Sequence, residues 1–360
     1  MNQSERFRAV YRREKADRMP VYYFGYWNET ALRWKNEGLS DITRIPGMDP
    51  DWEDGMWDCH DLVLIKPLGD LPHKVLEDDG ETVVYQNSFG DIVKDSKKGS
   101  TIAHTLKYAL EPTRESWERF KRFLDAGDPR RYPAGWEQRA PVLALSDRVR
   151  CFMGGSLYGW IRGWMGVVNI SYMMYDDPAL FEEMVSYLAD YYMELFAPVF
   201  KRVGFDFVYF FEDCCGKNGP LFSPQIYRRI LDPYYRKLIR FYKENGVEFA
   251  LVDSDGDSEK LIPSWLESGF DIMFPIEVGT WKASPSALRK KYGARLNMFG
   301  GVDKHVIPLG EVEIRRHLES LKPAADEGGY IPIPDHRIPP SCSYQDFLTY
   351  VRVFNEVFNG

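Results

Sequence analysis

Residues 247–257, VEFALVDSDGD, constrain the fold more than any other stretch of the chain. The stretch opens as a continuous apolar run, the pattern of a strand buried on both faces. It closes on three carboxylates, Asp253, Asp255 and Asp257, set around Ser254 and Gly256. A buried parallel strand that delivers acidic groups at its C-terminal end is how α/β barrels present chemistry. Capping of the following segment, SEKLIPSWLESG, accounts for Asp257. Three acids in five residues exceed what a cap needs, which makes Asp253 and Asp255 candidates for function.

The apolar pattern recurs. Runs at residues 21–26, 62–67, 149–153, 206–211, 247–253, 271–276, 295–299 and 330–334 read as eight strands. A short helix at residues 4–13 precedes them. Helical segments at residues 113–126, 177–200, 224–245, 258–268, 285–292, 311–326 and 344–358 alternate with them or follow. A βα repeat that closes at eight is a (β/α)8 TIM barrel, and 360 residues suit one such domain with insertions. A doubly wound open sheet is the alternative, but it gathers its site at one switch point. Here ionisable or Gly-rich groups recur at nearly every strand end. Residues 81–97, ETVVYQNSFGDIVKDSK, alternate around a turn and read as an inserted β-hairpin. Residues 125–141 are rich in Gly and Pro and read as a loop, with no second domain beyond it.

Composition excludes some partners. A net charge of −8 gives no reason to expect nucleic acid or an anionic membrane. The five cysteines (Cys59, Cys151, Cys214, Cys215 and Cys342) lack CxxC spacing, which fits reduced thiols in a cytoplasmic protein. The charged N-terminus does not read as a signal peptide, and no apolar run approaches a membrane span. The expectation is a cytoplasmic protein with a small-molecule substrate, as monomer or homodimer.

In a barrel, the strand ends bring Glu212 or Asp213, Asp253, Asp255, Glu277, Asp303, Asp335 and His336 to one mouth. Side chains alternate along a strand, so only one of Glu212 and Asp213 is expected to face it. Arg162, Lys217, Lys304 and Arg337 supply a basic balance. Arg162 lies in GGSLYGWIRGWMG, a Gly-rich aromatic loop without the spacing of a dinucleotide fingerprint. Such a set supports general acid–base chemistry or metal binding. Asp253, Asp255 and His336 offer an O,O,N ligand set for a divalent metal, although the spacing is not a recognised motif. After the first strand, YYFGYWNET makes Tyr26 and Trp27 candidates for an aromatic wall, which would suit a cationic methyl donor.

The chain resembles the uroporphyrinogen decarboxylase superfamily, which includes corrinoid-dependent methyltransferases acting on methylated thiol carriers. The likeness runs from SERFRAVYRREKADRMPV through GWIRGWMGVVNISYMMYDDPALFEEMV, FEDCCGKNGPLFSPQIYRRILDPYYRKLI, DSDGD and NMFGGVDK to DHRIPPSCSYQDF. It implies a (β/α)8 barrel with its site in the C-terminal mouth. FEDCCGKNGPLFSP looks most like the methyltransferase-type and uncharacterised branches. Two departures bear on function. The arginine-containing segment with which the decarboxylases grip substrate carboxylates is replaced by YYFGYWNET, which has no arginine. The zinc-binding His-x-Cys pair of the thiol-directed methyltransferases is replaced by Asp253 and Asp255, and their last Cys falls near His336, with Cys342 further on. An oxygen-rich set is harder and suits an oxygen or nitrogen substrate better than a sulfur one.

The resemblance implies a methyltransferase-like enzyme that moves a methyl group between a small methylated substrate and a corrinoid carried on a separate protein. Asp253 would serve as base or as ligand to a divalent metal, zinc first, with Asp255 and His336 assisting. Glu212 or Asp213 would orient substrate, Glu277 would contact it, and Tyr26, Trp27 and Trp160 would form the wall. Decarboxylation of a small or tetrapyrrole acid, gripped by Arg162, Lys217 or Arg337, is the second expectation. A non-catalytic binding subunit on the same scaffold is the third.

Overall fold

The computed structural model describes residues 1–50, 61–97 and 103–360. Among the described residues, twelve strands form three sheets. The first four strands, β1 (Lys74–Asp78), β2 (Thr82–Gln86), β3 (Ile92–Ser96) and β4 (His104–Lys107), make an antiparallel meander. The expected hairpin is its central pair, with Thr82 opposite Ser96 and Gln86 opposite Ile92. The insertion is therefore larger than the alternation at residues 81–97 alone suggests, because β1 is exposed throughout and leaves no burial pattern to read.

The barrel wall comes from β5 (Cys151–Met153), β6 (Phe207–Phe211), β9 (Phe249–Asp253), β10 (Ile272–Ile276), β11 (Asn297–Val302) and β12 (Tyr330–Pro334). They lie in the order β12-β11-β10-β9-β6-β5, and their pairings are all parallel. Two short strands, β7 (Cys215–Gly216) and β8 (Gly219–Pro220), form a small hairpin just after β6. Residues 21–26 stand where the first strand is expected, but they are extended with one bridge, Tyr26 to Ile338, instead of a ladder. Residues 62–67 likewise carry no ladder, although Leu62, Val63 and Ile65 are buried. Burial, which the apolar runs report, is present at both places; the ladder is not. A further difference is the helix Trp136–Ala144, with Pro141 inside it, where Gly and Pro content suggested loop.

Two hydrophobic cores define the (β/α)8 barrel. Alternate residues of the wall point inward and touch one another: Cys151, Phe207, Tyr209, Phe249, Leu251, Ile272, Phe274, Phe299, Ile331 and Ile333, joined by Tyr22 from the first segment. The intervening residues, such as Phe152, Val208, Phe210, Ala250, Val252, Met273 and Met298, point outward into the layer shared with the helices. Residues 21–26 thus help close the interior even without a ladder. Four of the cysteines, Cys151, Cys214, Cys215 and Cys342, are buried free thiols, and Cys59 lies outside the described residues. No helix among the described residues is long and apolar enough to cross a membrane.

The N-terminal helix Gln3–Tyr11 seals the end opposite the carboxylates. Its start is fixed by a capping box between Asn2 and Glu5. Phe7 is fully buried and stacks on Phe207, the first residue of β6, at 5.0 Å, while Tyr11 packs on Phe249, the first of β9. Phe7→Ala removes a buried ring from a place where the wall cannot collapse inward. A loss of about 3–5 kcal/mol in urea denaturation is expected. A loss below about 1 kcal/mol would mean that the helix is not the seal.

Candidate active site

The acidic groups sit where β6, β9, β10 and β12 end. Phe211 and Phe274 lie in register with Asp253 on either side, so the last residue of β9 is flanked by two aromatic rings of the wall. Asp253 is buried and accepts a hydrogen bond from the Tyr209 hydroxyl. Tyr209 lies two residues before Phe211 and shares its inward face, so strand alternation alone points to it. A tyrosine in an apolar run reads equally well as core, so the sequence alone does not single it out.

The stretch 253–257 knits several strand ends together. The main-chain carbonyl of Asp253 accepts the N–H groups of Glu212 (2.9 Å) and Asp213 (3.0 Å), and the Ser254 N–H donates to the Phe274 carbonyl (2.9 Å). Gly256 donates its N–H to Glu277 Oε2 at 2.6 Å. Glycine is required there: φ is +83°, and a Cβ would lie 2.7 Å from the Gly216 carbonyl oxygen in the β7–β8 hairpin. Asp257 accepts the Glu259 N–H in a local turn instead of capping the helix as expected, because that helix starts only at Ile262, with Leu261 at its N-cap.

His336 follows β12 and meets Asp255, with Nε2 to Oδ2 at 3.4 Å. Two rings flank the imidazole: Trp27 stacked at 6.1 Å between centroids, and Phe24 edge-on at 5.1 Å. The other Asp255 oxygen, Oδ1, is buried without a hydrogen-bond partner. Glu277 completes the cluster. Burial and the Asp255 charge push its carboxyl up, opposed by the Gly256 N–H, the Thr280 hydroxyl and His336.

Other expected residues do different work. Glu212 is 2% exposed and accepts the N–H groups of Leu157, Tyr158 and Gly159, so it anchors the start of the helix Gly159–Met165. Asp213 points elsewhere. Its backbone is left-handed, at φ 43°, and its carboxylate holds Arg162 at 2.7 Å. Trp160 packs on Trp164 and has Lys66 over its ring, apart from the Trp27–His336 stack. Tyr26 stacks on Tyr23 and tilts against Trp34, while its carbonyl accepts from Arg337. Lys217 is exposed in the turn between β7 and β8. Asp335 accepts the N–H groups of Val278, Gly279 and Lys304, binding the loops after β10 and β11. Asp303 caps the short turn at Lys304–Leu309, and its own N–H is held by His317.

A metal was expected on Asp253, Asp255 and His336. Among the described residues no three His, Cys, Asp or Glu side chains are grouped to hold a metal ion. The arrangement joins Asp255 to His336 and Asp253 to Tyr209 instead, and as it stands does not fit a three-ligand zinc site. What it offers is a carboxylate–imidazole pair beside a buried carboxylate with a phenol on it, a set suited to moving and holding protons.

A family profile and one solved structure bear on the architecture. The profile of the family described as uroporphyrinogen decarboxylase (URO-D) matches residues 161–357. No curated protein matches the chain. Among solved structures, a methyltransferase from Methanosarcina mazei is similar over 99% of this chain and 99% of its own, with a TM-score of 0.57 and 10% identity. A B12-independent methionine synthase from Shewanella sp. W3-18-1, solved with selenomethionine, is similar over 94% and 97%, with a TM-score of 0.46 and 11% identity. At 10% identity, the likeness to the Methanosarcina mazei protein is one of fold.

Glu212 gives this region a pH signature. Burial raises its carboxyl above the ordinary 4.5, against the lowering effect of Tyr235 and the three N–H donors. The folded chain therefore keeps the Glu212 proton at pH values where the unfolded chain has lost it. This contribution to stability is present below the unfolded value and is lost as pH rises through the folded one. Glu212→Gln does not titrate, so its thermal stability relative to wild type is expected to rise as pH increases over the range above the ordinary glutamate value. A difference that stays constant across that range would rule out a raised Glu212.

Proposed function

The chain belongs to the uroporphyrinogen decarboxylase family, and from that premise we propose that it is an enzyme moving a methyl group between a small methylated substrate and a corrinoid carried on a separate protein. The observation that carries this reading is the Asp255–His336 pair under Trp27, set at the ends of β9 and β12. The similarity of the whole fold to a methyltransferase from Methanosarcina mazei favours it. So does the state of the basic groups. Arg162 is tied to Asp213 and Lys217 sits in an exposed turn, so these two do not assemble the cationic grip that a tetrapyrrole carboxylic acid needs.

The corrinoid would supply the acceptor for the methyl group. The chain's own residues would handle the atom left behind. His336 donates a proton to the oxygen or nitrogen that loses its methyl group, and Asp255 stabilises the imidazolium before that transfer and holds the ring in place. Asp253, hydrogen-bonded by Tyr209, orients the polar end of the substrate, and the Phe24 and Trp27 rings keep water from the imidazole. The loops tied by Asp335 and Glu277 fix the distance between these groups.

The test is turnover by the full chain with cob(I)alamin as acceptor and 4-methoxybenzoate, N,N-dimethylglycine and methanol as donors. Loss of the cob(I)alamin absorbance with at least one donor is expected. The rate should fall about 10²–10⁴-fold in His336→Ala, with a smaller loss in Asp255→Asn. A wild-type rate in His336→Ala would remove the proton role. Carbon dioxide release from the acids, with no methyl acceptor consumed, would replace methyl transfer by decarboxylation.

A further inference from the structure

The helix Val167–Asp176 turns an apolar face to solvent. Residues 163–175 carry no charged side chain, in a chain of which 28% is charged. Ile170, Met173 and Met174 are buried and form the inner face. Outside, Val168, Tyr172 and Tyr175 are 63%, 67% and 66% exposed, at the i, i+4, i+7 spacing of one helical stripe. A helix that faces water ordinarily carries charged or polar groups on its outer side. A stripe rich in tyrosine and free of charge has instead the composition of the core of a protein interface.

The two ends of the helix point to one occupant. Its start, at Gly166, has no side-chain cap, so the positive end of the helix dipole is unanswered. Its last residue, Asp176, is exposed and forms no ion pair among the described residues, whereas Asp177 is already spent on capping the next helix at the Leu180 N–H. A two-fold axis passing between Ser171 and Tyr172 runs the helix antiparallel to its own copy. Val168 then lies against Tyr175 of the second copy, Tyr172 against the small Ser171, and Asp176 against the uncapped start. The face is complementary to itself both in its apolar groups and in its charge, which is what an isologous contact requires.

We infer that the helix Val167–Asp176 pairs with itself across a two-fold axis and joins two copies of this chain into a homodimer. The contact braces the preceding helix, Gly159–Met165, whose start is held by Glu212 at the end of β6. The inference uses nothing of the methyl-transfer reading, and each can fail while the other stands. The paired helix has ten residues and is about 15 Å long, so the contact is small and its dissociation constant is on the order of 10 μM.

The experiment is sedimentation velocity of the full chain from about 1 to 100 μM, where a reversible dimer is expected. Tyr172→Lys sets two like charges beside the axis, and Val168→Glu puts a charge into the stripe. Each is expected to weaken the dimer about tenfold or more, and Asp176→Asn by a smaller factor. A chain that stays monomeric over the whole range overturns the proposal and leaves the face to a partner of another kind. A dimer equally strong in Tyr172→Lys and Val168→Glu also overturns it. Should those variants not fold, cross-linking decides. Ser171→Cys, a small change beside the axis, is expected to give covalent dimer with a short bismaleimide severalfold above the wild-type chain and above Val142→Cys, which is exposed on the helix Trp136–Ala144. Equal yields from Ser171→Cys and Val142→Cys overturn the pairing.

Discussion

Main-chain hydrogen bonds around Asp253 tie the ends of β6, β9 and β10 into one rim. Its carbonyl receives two N–H groups from the chain leaving β6, and the next residue donates to β10. These bonds set where the Asp253 side chain points, and with it Asp255 and the Gly256 contact to Glu277. Removing any of them would leave a buried polar group unpaired, at about 1–3 kcal/mol each. That exceeds the preference of a short loop for any one conformation, so the rim has little freedom to rearrange.

Most of the mouth's carboxylates are held by backbone donors. Glu212 receives three N–H groups, Asp335 receives three, and Glu277 receives one together with a hydroxyl. Each such bond contributes about 0.5–1.5 kcal/mol, and together they hold each carboxyl group in place. Asp255 differs, since one of its oxygens meets His336 and the other has no partner. The burial that raises Glu277 also strengthens its interaction with the charge on Asp255, because a low local dielectric screens both less.

Strand periodicity made the barrel legible, since each buried parallel strand leaves an apolar run whether or not it forms a ladder. That is why residues 21–26 and 62–67 read as strands although neither is laddered. The meander at residues 74–107 was visible only in part, because its exposed strands have no buried face. At the mouth, acids at strand ends could be read from position alone. Their partners could not, because whether Glu212 meets solvent or three N–H groups depends on a loop from a different repeat. Phe24 and Tyr209 escaped notice because aromatic residues in apolar runs fit a core equally well, and only closure of the barrel brings Phe24 against His336.

The two sides of the mouth are built differently. From β9 to β12, carboxylate-to-backbone bonds lock each loop to the next, and the Asp255–His336 pair lies on that side. Beside residues 21–26 the wall has a single bridge and opens onto the cavity lined by Arg337. Proton transfer needs its groups held to within about half an ångström, which the tied side supplies. The other side has no such ties, and a wall without a ladder can shift without breaking a run of sheet hydrogen bonds.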